Sequence, residues 1–316
     1  MFTTRIDDTL KASKSVIIAG VGGGYDVLFG VPIAATLATH GCRVHFASFS
    51  STPLRDIANV TWHTDSLAQI TPSSSRPSYF PEGWLARWLQ GQDRCDPEVW
   101  CFEASGVGPL YNGYKYLVDH LAVDTIIAVD GGVDSLLRGD EYALGSPLED
   151  ALTLAALSLL DTPRKMLVAT AFGAERLDRI CHAQVLAQIA DLIASDSFYG
   201  AETVVQGTLP GDAINSAIDF VLSNQQGMHQ SVVCGSILAA LTGNFGDTAV
   251  SESTQSTPPW VSPLMLLYWW FDLDAVARTN LYLPRILGSR TFPEAAERLG
   301  QFMRSRPRRG WGDIPI

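Results

Sequence analysis

The chain lacks the cysteine and histidine patterns that build structural metal sites. Its five cysteines, Cys42, Cys95, Cys101, Cys181 and Cys234, are odd in number, scattered, and contain no C-x-x-C pair. A zinc ribbon and a disulfide framework are therefore excluded as organising devices. The six histidines, His40, His45, His63, His120, His182 and His229, form neither H-x-x-x-H nor H-E-x-x-H, which removes the common zinc-hydrolase signatures. There is no G-x-S-x-G elbow, so a serine hydrolase of that type is not expected. Long apolar runs are also missing. The nearest, residues 261–271, contains Ser262 and Pro263 and falls short of the ~18 to 20 residues a membrane span needs. The six-residue run at 16–21 is too short for a signal-peptide core, and a cytoplasmic location is expected. Basic charge is scarce as well: 22 Lys and Arg stand against 33 Asp and Glu, a net charge of −11. Such a surface repels a nucleic-acid backbone and an anionic membrane, so the expected partner is a small molecule. The arginines at 304, 306, 308 and 309 give the tail a local positive charge, read as a solvated or interface tail.

What is present is apolar content, 47% of 316 residues, enough for a sizeable core. It is arranged as short apolar runs, each followed by a glycine or acidic turn and then a helical period. Residues 15–20 read as a strand; Val27, Val31, Ala34, Ala35 and Ala38 recur at helical spacing up to Gly41, and 43–49 read as a second strand. Pro32 leaves two helix starts open, one near Val31 after a long loop and one near Tyr25 with a kink. Residues 50–81 are rich in Ser, Thr and Pro and read as a surface loop or flap over a sheet edge. Further strands are expected at 98–103, 125–130 and 166–170, alternating with helices at 82–90 and 110–120, a helical face from Leu152 to Leu159, and another from Leu186 to Ile193. Beyond residue 200 the pattern loosens to a strand at 202–208, a helix at 212–222, an ambiguous apolar segment at 231–241, a polar loop at 243–259 and helices at 273–279 and 293–303. The expected fold is α/β and Rossmann-like: a mostly parallel sheet with helices on both faces, one domain with its core at about 15–200 and a C-terminal α/β extension packed on it. The Trp-rich stretch with Trp260, Trp269, Trp270 and Phe271 is assigned to the core by default, with a homo-oligomer contact as the other reading.

Candidate chemistry gathers where these strands end. Gly22, Gly23, Gly24 and Tyr25 follow the first strand, where bare backbone N–H groups suit an anion. Asp26 follows directly, and the string departs from G-x-G-x-x-G and from the Walker motif. Asp130 closes the very apolar strand at 125–130 and opens the run Gly131, Gly132, Asp134, Arg138, Asp140 and Glu141. Asp130, Asp134 and Asp140 form the expected ligand set for a hard cation such as Mg²⁺. Gly131, Gly132, Asp134 and Arg138 are the expected ligand contacts, with ordinary turn chemistry as the alternative. Glu103, at the end of another strand, joins Asp26 and Asp130 as a candidate catalytic residue. Phe172-Gly173-Ala174-Glu175 repeats that placement more weakly. Ser146-Pro147-Leu148-Glu149 reads as a capping box, which makes Glu149 structural and leaves Asp150 undecided.

These strings carry a resemblance. Ala19-Gly20-Val21-Gly22-Gly23-Gly24-Tyr25-Asp26, Val129-Asp130-Gly131-Gly132-Val133-Asp134-Ser135-Leu136 with Arg138-Gly139-Asp140-Glu141, and Leu144-Gly145-Ser146-Pro147-Leu148-Glu149-Asp150 are similar to the DUF1152 family of prokaryotic proteins of unknown function. The resemblance implies no activity. A looser likeness of Gly22-Gly23-Gly24 and Gly30-Val31-Pro32 to the NAD-binding elements of sirtuin-like proteins lacks the T-Q-N-x-D segment and four zinc cysteines, and is a coincidence of spacing. The functional expectation is an enzyme acting on a small polar or nucleotide-like metabolite, Mg²⁺-assisted. The alternative is a non-catalytic nucleotide- or NAD-type binding or sensor protein.

Overall fold

The computed structural model describes residues 5–76, 79–92, 95–225 and 231–314. Pro77 of the expected loop and His229 of the histidine set lie outside them. The strands in chain order are β1 (Ser15–Gly20), β2 (Arg43–Phe49), β3 (Thr61–Trp62), β4 (Leu67–Ile70), β5 (Val99–Phe102), β6 (Thr125–Asp130), β7 (Arg164–Ala169), β8 (Phe198–Thr203), β9 (Gly246–Asp247), β10 (Trp260–Val261) and β11 (Leu267–Asp272). The helices are α1 (Arg5–Ala12), α2 (Val31–Thr39), α3 (Pro81–Leu89), α4 (Val107–His120), α5 (Pro147–Ser158), α6 (His182–Ala194), α7 (Leu209–Asn224), α8 (Val232–Leu241), α9 (Leu273–Thr279), α10 (Leu283–Ile286) and α11 (Phe292–Ser305). No described helix is long and apolar enough to cross a membrane.

Nine strands form one sheet in the order β3-β4-β5-β2-β1-β6-β7-β11-β8. The inner five, β5, β2, β1, β6 and β7, are all parallel. Period-2 alternation explains why helices cover both faces: along β1, Val16 and Ile18 enter one core with Leu37 of α2 and Leu85 of α3, while Ile17 and Ala19 enter the other with Leu117 of α4 and Leu152 of α5. The fold is thus α/β and Rossmann-like. The chain runs outward from β1 through β2 to β5, then returns to β6 on the far side of β1, so the winding reverses between β1 and β6. Ligand crevices of open α/β sheets form at such a reversal, beyond the strand C-termini.

Two expectations need correction. The 50–81 segment is more than a flap, because β4 pairs antiparallel with β5 and β3 pairs antiparallel with β4, extending the sheet edge with Leu67, Ala68 and Ile70 buried. Its Ser- and Thr-rich composition hid a strand of four residues. The C-terminal extension is built into the sheet, since β11 lies between β7 and β8 and is antiparallel to both. The polar N-terminus forms α1, which buries Ile6 and Leu10. Pro32 sits in the first turn of α2, preceded by a 3-10 turn at Asp26–Gly30 that places Asp26 four residues past Gly22. The ambiguous 231–241 segment is helical, as α8. Trp270 and Phe271 are core residues, whereas Trp260 is 54% exposed.

Candidate functional site

The crevice at the β1/β6 reversal has a volume of about 360 Å³ and is walled by carboxylates: Asp26, Asp130, Asp134, Glu149, Asp150, Glu175 and Asp178. Among the described residues, no lysine, arginine or histidine lines it. Asp26, Asp130, Asp134 and Glu175 lie at or within a few residues of a strand end. Asp130 is the last residue of β6, and its Oδ2 accepts from the Ser135 backbone N–H at 3.2 Å and from Ser135 Oγ at 2.5 Å. Asp134 Oδ2 accepts from the Ser146 N–H at 2.9 Å. Glu175, in the turn after β7, accepts from the Val133 N–H at 2.7 Å. Asp26 Oδ2 accepts from the Gly22 N–H at 2.8 Å. A side chain at 22 would displace these carboxylates, because a Cβ there would lie 2.6 Å from Asp150 Oδ1 and 2.7 Å from Asp26 Oδ2. Gly145, with φ +61, makes the left-handed turn that brings its own Cα against the Asp134 carboxylate.

Asp130, Asp134 and Asp150, all buried, bring one carboxylate oxygen each within 4.8 Å of one another. That is a fit for a hard divalent cation, which takes carboxylate oxygens and tolerates the charge that bare carboxylates cannot. Burial, reinforced by the neighbouring negative charges, pushes Asp130, Asp150 and Glu175 well above the usual carboxylate range. Asp26 is raised to about 7, first by burial and then by Asp134, while the facing Gly22 and Gly131 amides pull it down. Burial likewise raises Glu149 and Asp178, each with a further push from Asp134.

Of the residues expected from sequence, Gly22, Gly23, Asp26, Asp130, Gly131 and Asp134 line this crevice. Gly132 stands behind it, close against the Glu175 carboxylate. Gly24 and Tyr25 turn away: Gly24 lies against the Tyr79 hydroxyl and Tyr25 is buried in the core. Asp140 does not join Asp130 and Asp134. Its Oδ1 pairs with Arg309 Nε at 3.1 Å, and Asp150 takes its place in the triad. Glu103 is held by Arg55, whose Nη2 is 3.2 Å from Glu103 Oε2, and does not line the crevice. Arg138 lies 3.8 Å from Asp191 and likewise stays outside. The expected capping box does not form, for a definable reason. The Ser146 N–H, which Glu149 would accept in such a box, is taken by Asp134, and Glu149 is left to line the crevice. Asp150 and Glu149 lie in the first turn of α5, where the helix dipole favours negative charge.

The family profile described as "Protein of unknown function (DUF1152)" matches residues 17–304. The chain belongs to the DUF1152 family. No curated protein and no solved structure matches it. In this DUF1152 protein the three strings similar to the family meet at one place: the first brings Gly22 and Asp26, the second Asp130 and Asp134, the third Asp150.

Proposed function

We propose that this DUF1152 protein is a divalent-cation-dependent enzyme acting on a small polar or nucleotide-like metabolite in the cytoplasm. The observation that carries the reading is the triad Asp130, Asp134 and Asp150, with three buried carboxylates converging within 4.8 Å at the sheet's reversal point and no basic side chain lining the crevice among the described residues. Such a wall repels a free anion, so a phosphate or carboxylate of the substrate would be held through the cation rather than by the protein's own charge. The cation would be Mg²⁺ or a similar hard ion, supplying Lewis-acid polarisation of a bound oxygen. Asp26 supports an acid-base role, because a carboxyl raised to about 7 exchanges its proton near neutral pH. Gly22 fixes Asp26 through its N–H and leaves room for it by lacking a side chain. A hydrolase or transferase is the favoured class, and a sensor built on the same crevice would bind without turnover.

The test starts from EDTA-stripped protein titrated calorimetrically with Mn²⁺. Thermal unfolding is then followed with nucleotides, NAD and sugar phosphates, each with and without Mg²⁺, since a ligand of the native state raises the midpoint by mass action. Saturable Mn²⁺ binding that disappears in Asp130→Asn, together with metabolite shifts that require the metal, is the expected result. A wild type that binds no divalent cation defeats the reading.

A further inference from the structure

The end of the chain forms no helix or strand, yet it is bonded to the body at nearly every residue. Helix α11 stops at Ser305, and residues 308–312 then pass over the loop that leads from Asp134 to α5. The Arg309 N–H donates to the Asp140 carbonyl at 2.7 Å, and the Arg309 guanidinium pairs with Asp140 Oδ1 at 3.1 Å and with Oε1 of the buried Glu141 at 2.6 Å. Arg308 Nη1 donates to the Tyr142 carbonyl at 3.2 Å. Gln184 of α6 clamps loop and tail together, its Oε1 accepting from the Tyr142 N–H and its Nε2 donating to the Gly310 carbonyl, both at 2.8 Å. The Gly312 N–H donates to Cys181 Sγ at 3.4 Å, and the Cys181 thiol donates back to the Gly312 carbonyl at 3.2 Å. At this contact Cys181 is 1% exposed.

Those bonds are polar, and the one large apolar side chain of the stretch, Trp311, is 53% exposed although its ring meets that of Tyr142 edge-on at 5.4 Å. A chain end held by hydrogen bonds and an ion pair rather than by apolar burial opens at a free energy well below that of global unfolding. The loop beneath it matters to the crevice because it starts and ends on one carboxylate: Asp134 Oδ2 accepts the Ser146 N–H at 2.9 Å, and Gly145 packs against the same group. We propose that residues 308–312 are a strap whose docking is coupled to divalent-cation binding at Asp130, Asp134 and Asp150. Docked, the strap holds residues 140–142 and through them the loop that fixes Asp134. Released, it loosens that ligand and uncovers Cys181. Coupling of this kind is reciprocal, so a bound cation in turn holds the strap down. The proposal rests on the divalent reading of the crevice and adds to it a control by the chain's own end.

The experiment alkylates the native protein with iodoacetamide at constant pH, in EDTA and in saturating Mn²⁺, and follows each cysteine by peptide mass spectrometry beside a calorimetric Mn²⁺ titration. Mn²⁺ is expected to slow alkylation of Cys181 about tenfold in wild type and to leave it unchanged in Asp130→Asn, with the half-buried Cys95 as internal reference. Arg309→Ala is expected to speed Cys181 alkylation about tenfold in EDTA and to bind Mn²⁺ about tenfold more weakly, a coupling within the usual range. A tail with a structural role alone would change the rate and leave the affinity. If Arg309→Ala does not fold, the wild-type comparison decides by itself. Wild type that binds Mn²⁺ with no change at Cys181 overturns this proposal alone, and so does Arg309→Ala that frees Cys181 at unchanged affinity. Wild type that binds no Mn²⁺ overturns the divalent reading and the coupling together, so the calorimetry tells the two failures apart.

Discussion

At the scale of single residues, the decisive exchange is between Asp140 and Asp150. Both lie within twenty residues of Asp130 and either could complete a carboxylate triad by composition alone, but their neighbours differ. Asp140 meets Arg309, which neutralises it; Asp150 sits in the first turn of α5 with its Oδ1 directed at Gly22, and the charges that act on it are those of Asp134, Asp130 and Asp26. Among the described residues no ion pair competes with a cation at Asp150. Asp150→Asn is therefore expected to weaken Mn²⁺ binding about 100-fold or more, and Asp140→Asn to leave it within about threefold, when the two are titrated calorimetrically side by side. Equal losses in both variants would place the cation elsewhere. Gly22→Ala belongs to the same argument. Its methyl would press on the oxygens of Asp26 and Asp150 at once, so it is expected to cut divalent affinity in the same titration while the far-UV circular dichroism stays unchanged.

At the scale of elements, the parallel core was legible because its strands are short apolar runs, that of β6 closed by the buried Asp130. The 125–130 expectation coincides with β6 (Thr125–Asp130) and the 273–279 helix with α9 (Leu273–Thr279), since both have clean punctuation. What was illegible depended on tertiary partners. The edge strands β3 and β4 are too short to show a period, and Arg55 spans this edge, joining Glu103 just past β5 and lying 4.0 Å from the ring centroid of Trp62 in β3. The α5 N-terminus looked like a self-sufficient cap until Asp134, twelve residues earlier, took its N–H. The tail was read as solvated or interfacial from its four arginines within six residues, and Arg309 reaches the fully buried Glu141, Nη2 to Oε1 at 2.6 Å. Glu141 in turn accepts the N–H groups of Arg138 and Gly139 at 3.0 and 2.8 Å, so the tail closes the loop that follows Asp134. Removing the arginine would leave a buried carboxylate with backbone partners alone. Because Arg309 itself is partly exposed, Arg309→Ala is expected to cost about 2 kcal/mol in urea denaturation, toward or below the lower end of what breaking a buried pair costs. Glu141→Gln in the Arg309→Ala background should restore part of that loss, and an unchanged urea midpoint in Arg309→Ala would show the tail to be dispensable to the loop.

At the scale of the whole molecule, the crevice makes stability a function of pH and of divalent cations together. Asp26 is raised to about 7, and Asp130, Asp150 and Glu175 are raised well above the usual range by burial and then by the charge of Asp134, while in the unfolded chain such groups titrate near 4. The folded protein therefore holds protons that the unfolded chain has released. Their contribution is fully present below pH about 4 and is lost as pH rises through the folded values, at up to about 1.4 kcal/mol per pH unit for each such group. The net charge of −11 adds repulsion in the same direction. Stripped of divalent ions, the protein is expected to become less stable between pH 5 and pH 8, opposite to the behaviour of a protein whose carboxylates are salt-bridged. A bound divalent cation competes with those protons and stabilises the ionised folded state, so excess Mg²⁺ should raise stability most at pH 8 and flatten the slope. Urea midpoints at pH 5, 6, 7 and 8, in EDTA and in MgCl₂, measure both effects on one protein. Asp150→Asn removes one raised carboxyl and one ligand together, so it should reduce the slope in EDTA and bring the two sets of midpoints into coincidence. Wild-type midpoints that rise with pH in EDTA, or that run parallel with and without Mg²⁺, would mean that the carboxylates balance their charge among themselves and that the crevice serves no cation.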